Sequence, residues 1–246
     1  MSEKYCLHIG HLFPDLLNLY GDRGNIAALT NRLRRRGMDA EVTEVQKDDK
    51  VDLAAFDIVF LGGGSDREQL LVCEKLRAMK KEFREYAESD GVLAAVCGGY
   101  QLLGNYYKLE QETIRGLEIL DIYTETGKGR LIGNVVLESD FAGGKDTVVG
   151  FENHGGRTNI GSHKPFGRVL YGNGNRDEDQ EEGVVYKNVL GTYLHGPLLP
   201  KNPKIADELL RRALKRKYGA EIALTPLDDK LETEAHDYIV SRFLSK

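Results

Sequence analysis

The sequence of 246 residues holds only three cysteines, Cys6, Cys73 and Cys97, an odd number without paired spacing. That scarcity excludes a disulfide framework, argues against a zinc site and points to a reducing compartment. No apolar run approaches the ~18 residues a membrane span needs. The stretch Met1 to Cys6 lacks the basic segment and apolar run of a secretory leader. A cytoplasmic location is expected. Neither sign of charge dominates: 34 Lys and Arg against 39 Asp and Glu leave a formal net charge of −5. This balance excludes a broad nucleic-acid footprint. The local triplet Arg34-Arg35-Arg36 reads as the solvated end of a helix, where cations suit the dipole. Internal repeats, low-complexity segments and a metal-ligand cluster are all missing.

What is present is a balance ordinary for a globular protein, 41% hydrophobic and 30% charged. In the first half, short apolar runs alternate with helical periodicity. Tyr5 to Ile9 reads as a strand, Gly24 to Arg36 as a helix and Ala40 to Val45 as a strand. The run Asp57 to Leu61 opens into Gly62-Gly63-Gly64. A helical pattern continues through Leu70, Leu71, Leu76, Phe83 and Tyr86, and Val92 to Val96 runs into Cys97. A further helix is expected over Tyr100 to Tyr107. Strands that are apolar throughout, separated by helices, predict a doubly wound, mostly parallel α/β sheet.

The second half is richer in strands and turns, with strands expected near 117–124, 131–138, 147–152, 169–171, 183–186 and 190–194. The polar segment Asn173 to Glu182 reads as an exposed loop. Asn202 to Tyr218 reads as a helix that Asn202 can cap, with Pro203 in its first turn. The chain is read as one domain, 1–246, whose C-terminal helix, from about 228, can lie at the periphery.

The strongest chemical signal is Val96-Cys97-Gly98-Gly99-Tyr100-Gln101. A buried strand feeding a small-residue turn and a helix holds a side chain at the carboxyl edge of the sheet, where open α/β sheets bind ligands. Glycines after the cysteine permit the tight turn and leave the Gly98 N–H to stabilise an oxyanion. Cys6 and Cys73 read as small buried hydrophobes. A thiolate nucleophile needs an imidazole that can take and return a proton. His195 ends a strand-like run before Gly196-Pro197 and is the first choice; His154 is its rival. Gly63 and Gly64, in a turn one strand away, are candidates for the second oxyanion donor.

These residues resemble the class I glutamine amidotransferases: a glycine-rich loop after one strand, Cys-x-Gly-x-Gln after the next, and a late His at a strand end. Leu16 to Asn25, Phe60 to Asp66, Gly129 to Asn134, Gly150 to Arg157 and Gly191 to Pro197 narrow the likeness to the cobyric acid synthase-like branch and its GatD-type glutaminase subunits. The resemblance implies glutamine hydrolysis with no cofactor in this chain. Ammonia would pass to a MurT-like Mur ligase, in a heterodimer, with ATP and Mg on that partner. The acceptor would be the D-glutamate α-carboxylate of lipid II, giving D-isoglutamine for peptidoglycan.

The resemblance also implies that Arg130 and Gln101 contact the substrate glutamine; an Arg fork matches a carboxylate with two hydrogen bonds. Many relatives carry a Glu two positions after the histidine, where this chain has Pro197. The site is therefore a Cys-His dyad, or takes its third group from elsewhere, with Asp15 and Glu152 as possibilities. Two alternatives stay open, a glutaminase serving another acceptor such as cobyrinate and a Cys-dependent hydrolase on the same fold.

Overall fold

The computed structural model describes residues 5–19, 21–109, 111–177 and 179–244. Residues 1–4, on which the reading of the leader partly rests, and Glu178 in the acidic loop lie outside it. The central sheet is built from β1 (Cys6–Leu12), β2 (Asp39–Val45), β3 (Ile58–Leu61), β4 (Val92–Val96), β11 (Val184–Tyr186) and β12 (Val189–Thr192), in the order β11-β12-β4-β3-β1-β2. All neighbours are parallel except β11 against β12. β3 and β4 are buried at every position, as their unbroken apolar runs require. Helices α1 (Arg23–Arg34), α2 (Asp66–Ala78), α3 (Lys80–Glu88), α4 (Gly98–Leu102) and α5 (Pro203–Tyr218) complete the doubly wound pattern.

Strand register brings three strand ends together. Leu61 pairs with Ala95, and Val96 pairs with Thr192. The last residues of β3, β4 and β12 therefore reach one edge of the sheet, just before Gly62, Cys97 and the Tyr193-Leu194-His195 segment.

A second sheet comprises β5 (Tyr106–Lys108), β6 (Thr113–Arg115), β7 (Tyr123–Ser139), β8 (Asp146–Asn159), β9 (Gly167–Tyr171) and β10 (Glu181–Glu182). β7 and β8 form a long antiparallel hairpin whose register shifts between Thr126 and Leu131. Its edge meets the first sheet at His195, whose N–H donates to Phe151 O at 2.8 Å while Phe151 N–H returns a bond to His195 O. One continuous apolar cluster draws on both sheets, Leu61 and Ala95 from one, Val135, Leu137 and Val148 from the other.

Four local expectations change. The helix expected over residues 100–107 stops at Leu102, and Tyr106–Lys108 is a strand paired with β6 and β7. The chain turns between them at Gly104, where a Cβ would lie 2.6 Å from Ile122 O. The long pattern after Asp66 is two helices broken at Met79. The strand expected from 117 begins only at Tyr123. Asn202 does not cap α5 with its side chain. It bonds β8 instead, accepting from Val149 N–H at 2.9 Å and donating to Val149 O at 2.8 Å.

The Arg triplet is also not simply solvated. Arg36, whose side chain is 1% exposed, and Arg32 both grip Asp207 on α5, and Arg32 also holds Asp229. Beyond Asp229 the last helix, α6 (Lys230–Leu244), has no buried residue. It rests on the second sheet through a Phe243–Tyr171 stack and a His236–Thr147 hydrogen bond of 2.7 Å.

Candidate active site

Cys97 sits between β4 and α4 with φ 48° and ψ −106°, a conformation that L residues rarely adopt. Backbone held in such a region costs of order 1–3 kcal/mol and persists where the surroundings over-determine it. Here the surroundings are close: Cys97 N–H donates to Thr192 O at 2.8 Å, and Gly99 N–H donates to Gly62 O at 3.1 Å. A Cβ on Gly99 would stand 2.6 Å from Leu61 O, so only glycine lets α4 press onto the end of β3.

Gly63 marks where the parts converge. A Cβ built there would lie 3.0 Å from His195 Cε1, 3.2 Å from Cys97 Cβ and 3.4 Å from Asp22 Oδ2. Cys97, His195 and the glycine-rich turn are thus brought to one point, with Cys97 6% exposed and His195 fully buried. The Gly98 N–H favours the charged form of the sulfur, and the Gly63 N–H donates to Asp22 Oδ2 at 2.7 Å. To serve an oxyanion, the Gly63 N–H must first leave Asp22.

Burial dominates the electrostatics. It pushes the Cys97 thiol up to about 12, helped by the Asp22 carboxylate, while the Gly98 N–H and Arg130 pull the other way. Burial drives the His195 imidazole down to about 3, with His154 and Arg130 adding to the shift. With the thiol the weaker acid by this margin, the proton stays on sulfur and the resting pair is neutral. Thiolate formation therefore needs substrate, a docked partner or a shifted neighbour.

Asp22 is the residue that sequence reasoning missed. It precedes α1, is fully buried, and burial raises its carboxyl to about 7 against the opposing Gly63 hydrogen bond. Its only sequence signal was an acid between two glycines in the motif Gly21-Asp22-Arg23-Gly24. The third-group candidates lie elsewhere. Asp15 is 63% exposed and pairs with Arg23 at the surface. Glu152 is buried but accepts from the Asn173 and Gly174 backbone N–H groups, and it faces His154 at 3.6 Å. At the position where many relatives carry Glu, Pro197 packs against Gly24.

His154, the rival base, is pinned flat. Its ring stacks on Tyr193 with centroids 3.6 Å apart, and its Nδ1 is 2.7 Å from Gly156 O. Gln101 points inward: its amide donates to Tyr193 OH at 3.2 Å and accepts from Gln69 at 3.0 Å. Behind it Glu182, raised by burial to about 8, accepts the Tyr193 backbone N–H at 2.6 Å. This network fixes the segment that carries His195.

Arg130 lines an open cavity of about 480 Å³ together with Asp66, Tyr107 and Gly155. Asn153 holds its guanidinium through two bonds of 2.9 Å. No group of three or more His, Cys, Asp or Glu residues able to hold a metal occurs among the described residues. No helix there is long and apolar enough to cross a membrane.

Residues 8–203 match the CobB/CobQ-like glutamine amidotransferase domain. The chain is 45% identical to the Staphylococcus aureus lipid II isoglutaminyl synthase (glutamine-hydrolyzing) subunit GatD, over 96% of each protein. It is 43% identical to the Streptococcus pneumoniae subunit of the same name, over 96% of this chain and 92% of that one. Its fold is similar to that of PurLQS from Thermotoga maritima, with a TM-score of 0.58 at 18% identity, covering 88% of this chain and all of that one.

Proposed function

The chain belongs to the CobB/CobQ-like glutamine amidotransferases, and from that premise we propose that it is the glutaminase subunit of a lipid II isoglutaminyl synthase. It hydrolyses glutamine and passes ammonia to a MurT-like Mur ligase partner in a heterodimer. That partner binds ATP and Mg, activates the D-glutamate α-carboxylate of lipid II and receives the ammonia to form D-isoglutamine. This chain itself carries no cofactor and works in the cytoplasm, as one amidotransferase domain. The acceptor specificity rests on the likeness to the two GatD subunits along nearly the whole chain. The observation that carries the chemistry is the convergence of Cys97 and His195 on Gly63.

In the proposed sequence, Arg130 takes the α-carboxylate of glutamine in a two-pronged bond. Cys97 loses its proton to His195, and the thiolate attacks the side-chain amide carbon. The negative charge that develops on the amide oxygen is met by the Gly98 N–H and by an N–H of the Gly63–Gly64 turn. Losing one such donor typically costs about 10²–10³ in rate. His195 returns the proton to the departing nitrogen, and ammonia leaves. Water then attacks the γ-glutamyl thioester and releases glutamate. Ammonia that escaped into bulk water would be protonated and lose its nucleophilicity, which is the physical reason for a docked partner. Gln101 acts from behind, holding Tyr193 and with it the segment leading to His195.

Glutamate release from glutamine tests this directly. Cys97→Ala should abolish it, and His195→Ala should lower it by about 10²–10⁴. Undiminished hydrolysis by Cys97→Ala would reject the mechanism. Peptide cleavage without glutaminase activity would move the chain to another reaction class.

A further inference from the structure

The buried stripe of α2 runs through Gln69, Val72 and Leu76. A glutamine thus stands where helix packing alone calls for an apolar residue. Gln69 is 2% exposed, and its Oε1 accepts no hydrogen bond among the described residues. An unmet buried acceptor weakens a fold, and an apolar residue of like size would avoid it. The contacts are made by the carboxamide nitrogen. It donates to Gln101 Oε1 at 3.0 Å and reaches Gly64 O at 3.4 Å. Both partners are acceptors, so the amide must turn its nitrogen toward them. A Cβ built on Gly98 would lie 2.9 Å from Gly64 O and 3.0 Å from Gln69 Nε2. The residue after the nucleophile, the glycine-rich turn and the Gln69 amide therefore meet at one contact.

The hydrogen bonds of the turn give that contact a role. In the peptide unit joining Gly62 to Gly63, the carbonyl accepts from Gly99 N–H at 3.1 Å and the N–H donates to Asp22. In the unit joining Gly64 to Ser65, the N–H donates to Glu68 Oε2 at 2.8 Å and the carbonyl faces Gln69. In the unit between them, the Gly63 carbonyl accepts from Leu19 N–H at 2.8 Å. The buried Gly64 N–H finds no acceptor among the described residues. A buried donor of this kind is rare in a native fold and calls for a reason. It is the donor that the resting turn can offer to an oxyanion, beside the Gly98 N–H. We propose that Gln69 is a positioning residue for hydrolysis: its carboxamide, set between Gly64 and Gly98, fixes the distance between the two N–H groups that meet the oxyanion. This inference rests on the glutaminase reading and adds a residue that acts through the two glycines.

Glutamine hydrolysis should be compared in wild type and Gln69→Met, each as the full chain co-purified with its Mur-ligase-type partner. Methionine keeps the length of the side chain and removes the donor. The variant should lose kcat by ~10–100-fold with KM within about twofold, the signature of an interaction made in the transition state. Inhibition by glutamate γ-semialdehyde should weaken by the same factor, because its carbonyl carbon takes the Cys97 sulfur and leaves an oxyanion. Alkylation of Cys97 by iodoacetamide forms no oxyanion and should keep its rate within about twofold. A second variant, Gln69→Glu, presents only acceptors while ionised and regains one donor when protonated. Its kcat relative to the wild type should rise as pH falls from 9 to 5. An unchanged kcat in Gln69→Met, an equal slowing of alkylation, or a flat ratio in Gln69→Glu would each overturn the assignment. If the wild type released no glutamate, the glutaminase reading would fall and take this inference with it; wild-type hydrolysis that Gln69→Met leaves intact removes the inference alone.

Discussion

The Asp22 carboxylate accepts the Gly63 N–H at 2.7 Å within a wholly buried site, and it is the largest influence after burial that keeps the Cys97 thiol protonated. One side chain thus withholds a candidate oxyanion donor and opposes the thiolate. The structure portrays the site at rest.

Removing that charge should wake the nucleophile. Asp22→Asn keeps an acceptor for the Gly63 N–H but takes a negative charge from beside the sulfur, so the Cys97 pKa should fall. Alkylation of Cys97 by iodoacetamide, followed by mass spectrometry, should be several-fold faster in the variant at pH 8. The gain should shrink at pH 6, where Asp22, with its carboxyl raised to about 7, is largely protonated in the wild type. Equal rates at both values would remove Asp22 from the electrostatics of the site.

Stability should respond to pH with a definite sign. Asp22 and Glu182 have folded-state pKa values raised to about 7 and about 8. Each contributes stability that is complete below the unfolded value near 4 and is lost as pH rises through the folded value. His195, depressed to about 3, works the other way, and its contribution falls as pH drops below about 6.5. Denaturant unfolding should therefore find maximal stability in mildly acidic buffer. Asp22→Asn should stabilise the chain by of order 1–4 kcal/mol at pH 9, by less than half of that at pH 5, and by little below pH 4. A variant less stable than wild type at pH 9 would contradict this.

The strained turn at residue 97 gives a third expectation. At φ 48° a glycine fits without penalty, whereas alanine keeps the Cβ strain. Cys97→Gly should be more stable than Cys97→Ala by about 1 kcal/mol, measured by urea unfolding. The reverse order would mean that the observed backbone conformation is not held in solution.

How much of this could be read from sequence varied with the range of the interaction. The edge of the sheet was legible because Val92 to Val96 is an apolar run that meets Cys97 and two glycines, a pattern confined to one short stretch. The helix after Cys97 was overextended because Gly104 turns on a contact with Ile122, well outside that stretch. Asp22 was overlooked because its meaning depends on Gly63, on another strand's loop. Arg36 looked like a solvated helix end, and only the fold brings Asp207 to it.

That last cluster has its own test. Asp207 binds both Arg32 and Arg36, whose side chains are 6% and 1% exposed. Asp207→Ala would leave Arg36 without its carboxylate in a buried setting and should destabilise the fold by about 3 kcal/mol. A loss below about 1 kcal/mol, the range of surface pairs, would show the pairing to be peripheral.

The central claim is that amide nitrogen leaves glutamine at Cys97 and reaches an acceptor on a partner. The chain co-purified with its Mur-ligase-type partner should be given lipid II, ATP, Mg and glutamine labelled with ¹⁵N at the side-chain amide, and the product examined by mass spectrometry. The account predicts ¹⁵N in the new D-isoglutamine amide, its loss in Cys97→Ala, and restoration of amidation in that variant by high ammonium. Labelled amide formed by Cys97→Ala from glutamine alone would contradict it.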